Sequence, residues 1–291
     1  MTGEATALPD CDPPPRDPAP ATRRLPPGTC DSHFHVFGPQ GRYPMDPRRN
    51  YTPHESSLDN YRRVMQAIGS TRGVIVQPSV YGNDNRATLD ALRSGGAAFR
   101  AIAVPPPDVG DDALAEMDAL GVRGVRLNLV NPAMLSVEAA MSILRRMAGR
   151  GWHLQVHIDL DRDPAALGPL CEQAGVPVVV DHMGKLAPAT RTHALFDLLK
   201  AGACWVKLSA PYRVSRQPSP HTDLTGLVHA LADANPERVL WGSDWPHTEL
   251  HGGMPAAAAL ADLVHAWFPD AALRRQVCVT NPARLYGYPQ G

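Results

Sequence analysis

His33 and His35, one residue apart in Cys30-Asp31-Ser32-His33-Phe34-His35-Val36-Phe37, are the first residues of the chain with chemistry to offer. In an extended strand residues i and i+2 point to one side, so both imidazoles project together while Phe34 faces the other way. Paired neutral imidazoles at a strand end can bind a divalent metal or donate hydrogen bonds to a developing oxyanion. Taken alone, the pair equally fits two surface histidines near a loop. Later stretches add weight to the first reading. His157 ends Trp152-His153-Leu154-Gln155-Val156-His157, His182 follows Val176-Pro177-Val178-Val179-Val180-Asp181, and Asp244 ends Arg238-Val239-Leu240-Trp241-Gly242-Ser243-Asp244.

Something must bring these distant residues together. Besides the first stretch, strand-like apolar runs are expected at 72–77, 100–104, 122–128, 152–157, 176–182, 204–209 and 238–244, with helical stretches such as 137–150 and 223–235 between them. Near-continuous apolar strands alternating with helices indicate parallel strands buried on both faces. Eight such units predict an α/β fold of the (β/α)8 TIM-barrel type, distorted, as a single domain. An open doubly wound sheet is the alternative, but it gathers its site at one switch point, whereas here polar residues end nearly every strand. In a barrel those ends converge on one mouth. It would collect His33, His35, Gln77, Ser79, Arg126, Asn128, His157, His182, Ser209, Arg213 and Asp244. The chain has no Gly-x-Gly-x-x-Gly after its first strand and no phosphate loop, so nucleotide binding is not indicated.

Composition narrows the partners. The 291 residues are 44% hydrophobic, enough for a large core, and carry a formal charge of −1 with no basic patch, which argues against nucleic acid and anionic membrane surfaces. No apolar run approaches the roughly 20 residues that span a bilayer. Five widely spaced cysteines without a Cys-x-x-Cys pair fit neither a disulfide framework nor a cysteine zinc site, and the first residues do not resemble a secretory signal. The expected compartment is the cytoplasm. Residues 1–27, proline-rich and poor in apolar side chains, are expected to form a disordered or loosely ordered tail, leaving 28–291 as the barrel. A monomer and a homodimer both remain open.

Longer motifs carry a resemblance. Asp31-Ser32-His33-Phe34-His35-Val36-Phe37-Gly38-Pro39, Tyr51-Thr52-Pro53, Val180-Asp181-His182-Met183-Gly184-Lys185 and Arg238 through Trp245-Pro246-His247 resemble the amidohydrolase superfamily, and within it the 2-pyrone-4,6-dicarboxylate lactonase group, from about Gly28 to Tyr286. The resemblance implies a hydrolase that opens a carboxylate-bearing lactone, of the kind met in aromatic-compound catabolism. It places the general base on Asp244, with His33, His35 and His182 polarising the carbonyl and stabilising the tetrahedral oxyanion. Tyr51, Gln77, Ser79, Arg126, His157, Lys185, Arg213 and His247 are the implied substrate contacts. Of four arginines that hold the dicarboxylate in the group, the matching positions here are Arg126, Lys185, Arg213 and Pro132. A lysine lacks the bidentate fork and a proline the charge, so two carboxylates would be less well served.

Strand 5 leaves the metal question open. The pyrone lactonase works without metal and has a tyrosine where this chain has His157. His33, His35, His157 and Asp244 would give one divalent ion, zinc or manganese, a His3Asp set with room for water. A metal-independent site, with His157 donating to the substrate, is the alternative. A sugar-acid lactonase or lactone isomerase, and a metal-dependent non-oxidative decarboxylase, are the competing activities of the superfamily.

Overall fold

The computed structural model describes residues 10–130 and 135–289. All eight expected strands form: β1 (Cys30–Phe34), β2 (Arg72–Val76), β3 (Phe99–Ala103), β4 (Val122–Asn128), β5 (His153–His157), β6 (Val178–Val180), β7 (Cys204–Leu208) and β8 (Val239–Trp241). They pair in parallel in chain order, each with the next, and helices cover the outside, so the protein is a (β/α)8 barrel. The ring closes through two backbone bonds just past β8, Asp244 N–H to His33 O and His35 N–H to Trp245 O, both 2.8 Å. Gly242 makes that approach feasible, since a Cβ there would lie 2.8 Å from the His33 nitrogen.

Two cores sit on either side of the sheet. Outside, Phe34 stacks on Tyr61 with ring centroids 3.4 Å apart and meets Phe99 edge-on, the outward placement expected for the residue between the two histidines. Tyr61 lies on the helix Leu58–Ile68, which buries Leu58, Tyr61, Val64, Met65 and Ile68 at helical spacing. That helix starts at a Ser57–Asn60 capping box and stops at Gly69, whose φ of 84° suits glycine. The helices expected at 137–150 and 223–235 run over Val137–Arg146 and Thr225–Ala234. Inside, Val74, Val76, Ile102, Val179, Trp205 and Leu240 fill the lower barrel, and Tyr286 and Tyr288 close it from below.

The strands expected to reach residues 182 and 244 end sooner, at Val180 and Trp241, because the chain there turns left-handed, with φ 52° at His182 and 59° at Asp244. Such backbone costs on the order of 1–3 kcal/mol per residue and persists only where packing enforces it. In the N-terminal segment, expected to be a tail as far as residue 27, Cys11 and Leu25 are buried, and backbone bonds join Cys11 to Thr52, Ala21 to Ala67 and Leu25 to Ile68. Among the described residues no helix is long and apolar enough to cross a membrane.

His153 stands in the barrel floor, edge-on to Tyr286 at 5.4 Å, fully buried with neither ring nitrogen hydrogen-bonded. Burial, reinforced by the charge of Lys207 and opposed by Asp181, pushes its pKa down from 6.5 to about 3. Between those values the unfolded chain binds the extra proton, so folding stability is lost as pH falls through about 6.5, by about 1.4 kcal/mol per pH unit for this residue. Chemical denaturation near pH 7 and pH 5 should therefore show His153→Leu losing about 2 kcal/mol less than the native protein over that interval. Equal losses would mean that His153 takes no part in acid sensitivity.

Candidate active site

The C-terminal ends of the strands enclose a cavity of about 510 Å³. Asp244 lies at its base, just beyond β8. Its Oδ1 is faced by three imidazole Nε2 atoms: His33 at 3.4 Å, His35 at 3.5 Å and His182 at 3.9 Å. Its Oδ2 accepts the Tyr212 hydroxyl at 2.5 Å and lies 3.4 Å from Arg213 Nε. Burial opposes ionisation of Asp244, but His182, the contact from His35, Arg213 and His33 outweigh it and hold the carboxyl well below the usual carboxylate range. Burial holds His33 and His182 down at about 3, so both are neutral near pH 7. Tyr212, pushed well above 10 by burial and by Asp244, stays a donor.

The outer nitrogens anchor these rings to the barrel wall. His35 Nδ1 donates to Val76 O at 2.8 Å, and His33 Nδ1 lies 3.2 Å from Asp181 Oδ1, an acceptor once ionised. His182 Nδ1 bonds Ser209 Oγ at 2.8 Å. His33 Nε2, 3.4 Å from Asp244 Oδ1, has no hydrogen-bond partner. The spacing suits a metal ion, because bonds of about 2.0–2.1 Å in a tetrahedron set ligand atoms about 3.3–3.4 Å apart. Among the described residues His33, His182 and Asp244 form the one cluster of ligand atoms tight enough for an ion, all within 4.8 Å of one another. His35 and His157, both expected as ligands, are outside that group, and His182, not expected as one, is in it. The His157 ring packs edge-on against His182 at 5.1 Å and lines the cavity, with both nitrogens unbonded.

Beneath the histidines lies a polar layer that sequence reading did not single out. Asp181 accepts from Gln155 Nε2 at 3.1 Å, and Lys207 Nζ donates to Gln155 Oε1 at 2.6 Å while lying 3.5 Å from both Asp181 Oδ1 and His33 Nδ1. All are fully buried. Burial pushes Lys207 down to about 8; Asp181, whose burial is outweighed by His33 and Lys207, stays well below the usual range. The signal was present in part: a lysine two residues before Ser209 in the apolar run Cys204-Trp205-Val206-Lys207-Leu208 must face the barrel interior if Ser209 does.

Of the expected substrate contacts, Tyr51, Ser79, Arg126, His157, Lys185 and Arg213 line the cavity. Gln77 and His247 do not. The Gln77 amide is held by Gly82 O, Asp84 O and Thr88 Oγ1, which tie down the loop after β2. His247 lies edge-on to Tyr212 at 5.5 Å, behind Asp244. Pro132 is outside the described residues. Tyr212, Asn50 and Glu249 also reach the cavity.

Eight parallel strands with a histidine and aspartate set at the C-terminal mouth define a (β/α)8-barrel enzyme with a hydrolase-type centre. The chain belongs to the amidohydrolase family, whose model it matches over residues 30–288. It is 35% identical to a 4-sulfomuconolactone hydrolase of Rhizobium radiobacter over 99% of both chains. A 2-pyrone-4,6-dicarboxylate hydrolase of Comamonas testosteroni is 33% identical, over 90% of this chain and 91% of that protein. An apo crystal structure from Agrobacterium tumefaciens superposes with a TM-score of 0.81 at 28% identity, covering 94% of this chain and all of that one.

Proposed function

We propose that this enzyme hydrolyses a lactone carrying an anionic substituent. The observation that carries the reading is the convergence of three imidazoles on the ionised Asp244 at the base of a cavity whose wall holds the nearly buried Arg126. Arg126 Nη1 is anchored on Gln77 O at 2.8 Å, while its Nε has no hydrogen-bond partner and lies 3.9 Å from Asp181. A guanidinium so held recognises a carboxylate or sulfonate without having to be ordered first. The names of the two hydrolases above, a sulfomuconolactone and a pyrone dicarboxylate enzyme, support the same class of substrate.

In this reading Asp244 Oδ1 holds a water against the lactone carbonyl and takes its proton as the water oxygen bonds to the carbon. His157, unbonded and facing the cavity, donates to the oxyanion that forms. The intermediate then collapses: the ring C–O bond breaks, and Asp244 returns the proton to the departing oxygen, leaving the ring-opened acid. Tyr212 and Arg213, bound to the far oxygen of Asp244, keep the carboxylate aimed throughout. A divalent ion, zinc or manganese by its nitrogen and oxygen ligands, would be held by His33, His182 and Asp244, with His35 beside them, and would polarise the carbonyl and acidify water.

The purified protein should open at least one lactone among pyrone dicarboxylate, muconolactones and aldonolactones; hydrolysis of none of them would end this reading. For the lactone turned over, Asp244→Asn should lower kcat by about 10²–10⁴-fold, the contribution of a positioned base. Activity within a few-fold of the native enzyme would remove Asp244 from that role. Equilibrium dialysis against zinc, read by elemental analysis, should give one ion per chain in the native protein. His182→Ala should weaken binding by about tenfold or more and His157→Ala by much less. The reverse order would make the strand-5 histidine the ligand.

A further inference from the structure

We infer that Glu249 is a specificity residue, its carboxylate filling the anion position of Arg213 so that the mouth discriminates against a second anionic group on the substrate. This rests on the lactone reading for the identity of the substrate, but the contacts stand independently of it. Arg213 Nη1 donates to Glu249 Oε2 at 2.5 Å, Nη2 donates to Thr248 O at 2.7 Å, and Nε faces Asp244 Oδ2. Both edges of the guanidinium are thereby occupied. Glu249 is tied from its other side as well, where Oε1 accepts from Asn50 Nδ2 at 2.7 Å. The carboxylate thus bridges the loop after β8 and the loop after β1, across one rim of the cavity that all three residues line.

The remaining cations sharpen the point. Lys185 Nζ is paired with Asp159 Oδ2 at 3.0 Å. Arg126 has no carboxylate closer than Asp181 Oδ2, 3.9 Å from its Nε, and so is the lining cation without a close anion of its own among the described residues, and the stretch Asn131-Pro132-Ala133-Met134 carries no charge by sequence. One anion is therefore served at Arg126. A second would have to displace Glu249 from Arg213, exchanging one carboxylate for another with no gain in pairing, and the displaced charge would remain nearby. Glu249 is 35% exposed against 17% for Arg213, so it sits at the outer end of the pair, where an incoming substrate meets it first.

Glu249→Gln keeps the shape and removes the charge, and since Arg213 retains Asp244 and Thr248 the fold should be preserved, as a thermal melt will verify. Titration calorimetry with two planar probes, benzoate and isophthalate, reads anion binding without turnover. The variant should bind isophthalate about tenfold or more tighter, with a change of less than about threefold for benzoate, and the gain should shrink with added salt. Equal gains for both probes, or none for either, would overturn the role of Glu249. With lactones, the ratio of kcat/KM for a dianionic over a monoanionic substrate should rise by a similar factor. A selective gain in isophthalate binding by a protein that opens no lactone would retain this inference and remove the lactone reading.

Discussion

One carboxylate oxygen, Asp244 Oδ1, facing three imidazole nitrogens is the constraint around which the rest of the molecule is arranged. Those groups come from strands 1, 6 and 8, and the backbone bonds that hold β8 against β1 are made by the same residues, His33, His35 and Asp244. Closing the barrel and assembling the site are thus one event. Asp31 adds to the seam, its Oδ1 accepting the Ser243 N–H at 2.8 Å and its Oδ2 the Tyr61 hydroxyl at 2.9 Å, so the outer helix Leu58–Ile68 is tied to the same junction. An open sheet would leave His33 and Asp244 at opposite edges.

The layer below is costly in itself. A lysine and an aspartate with no solvent access contribute little to stability, and well-packed apolar side chains in their place are often neutral or better. Removing one partner is a different matter, costing about 3–5 kcal/mol, because the other is left as an uncompensated buried charge. Lys207, Asp181 and Gln155 make sense as an orienting set: Gln155 holds Asp181 and Lys207, which set a carboxylate and an ammonium beside His33 Nδ1 and so keep the ring with its Nε2 toward Asp244. The fold tolerates buried charge where that charge decides the direction of a ring.

How much of this was legible follows from periodicity. The period-2 pattern of the strands gave the parity of His33, Phe34 and His35 and the inward direction of His157, and eight apolar runs gave the barrel. What it could not give was the path of the chain once a strand ends. His182 and Asp244 turn with positive φ, and beyond such a turn parity no longer tells which way a side chain points. Arg213 illustrates this. The resemblance implied a substrate contact, and it does line the cavity, yet its donors are taken by Asp244, Glu249 and Thr248, groups that converge on it only through the loops after β7 and β8. Gln77, at the end of β2, turns to its own loop instead. Tyr212 was invisible for the same reason, being adjacent to Arg213 in sequence but assigned to Asp244 only by the turn at Ala210, whose φ is 48°.

For the base role proposed for Asp244, its charge state has a consequence. A carboxylate held well below the usual range is ionised at any working pH, so it is always ready to accept a proton, but beside hydroxide it is a weak base. Water is far too weak an acid to be deprotonated by such a group unaided. The barrier must therefore be lowered elsewhere, by acidifying the water, by making the carbonyl more electrophilic, or by stabilising the oxyanion as it forms. The groups that depress Asp244 are the ones placed to do this. His33 and His182, with Asp244, offer ligand atoms spaced for a cation, and His157 beside them lines the cavity with both ring nitrogens unbonded. A weak but permanently charged base and a strongly electrophilic surround are then two aspects of one electrostatic arrangement, and neither would be effective if the barrel did not close with Asp244 against His33.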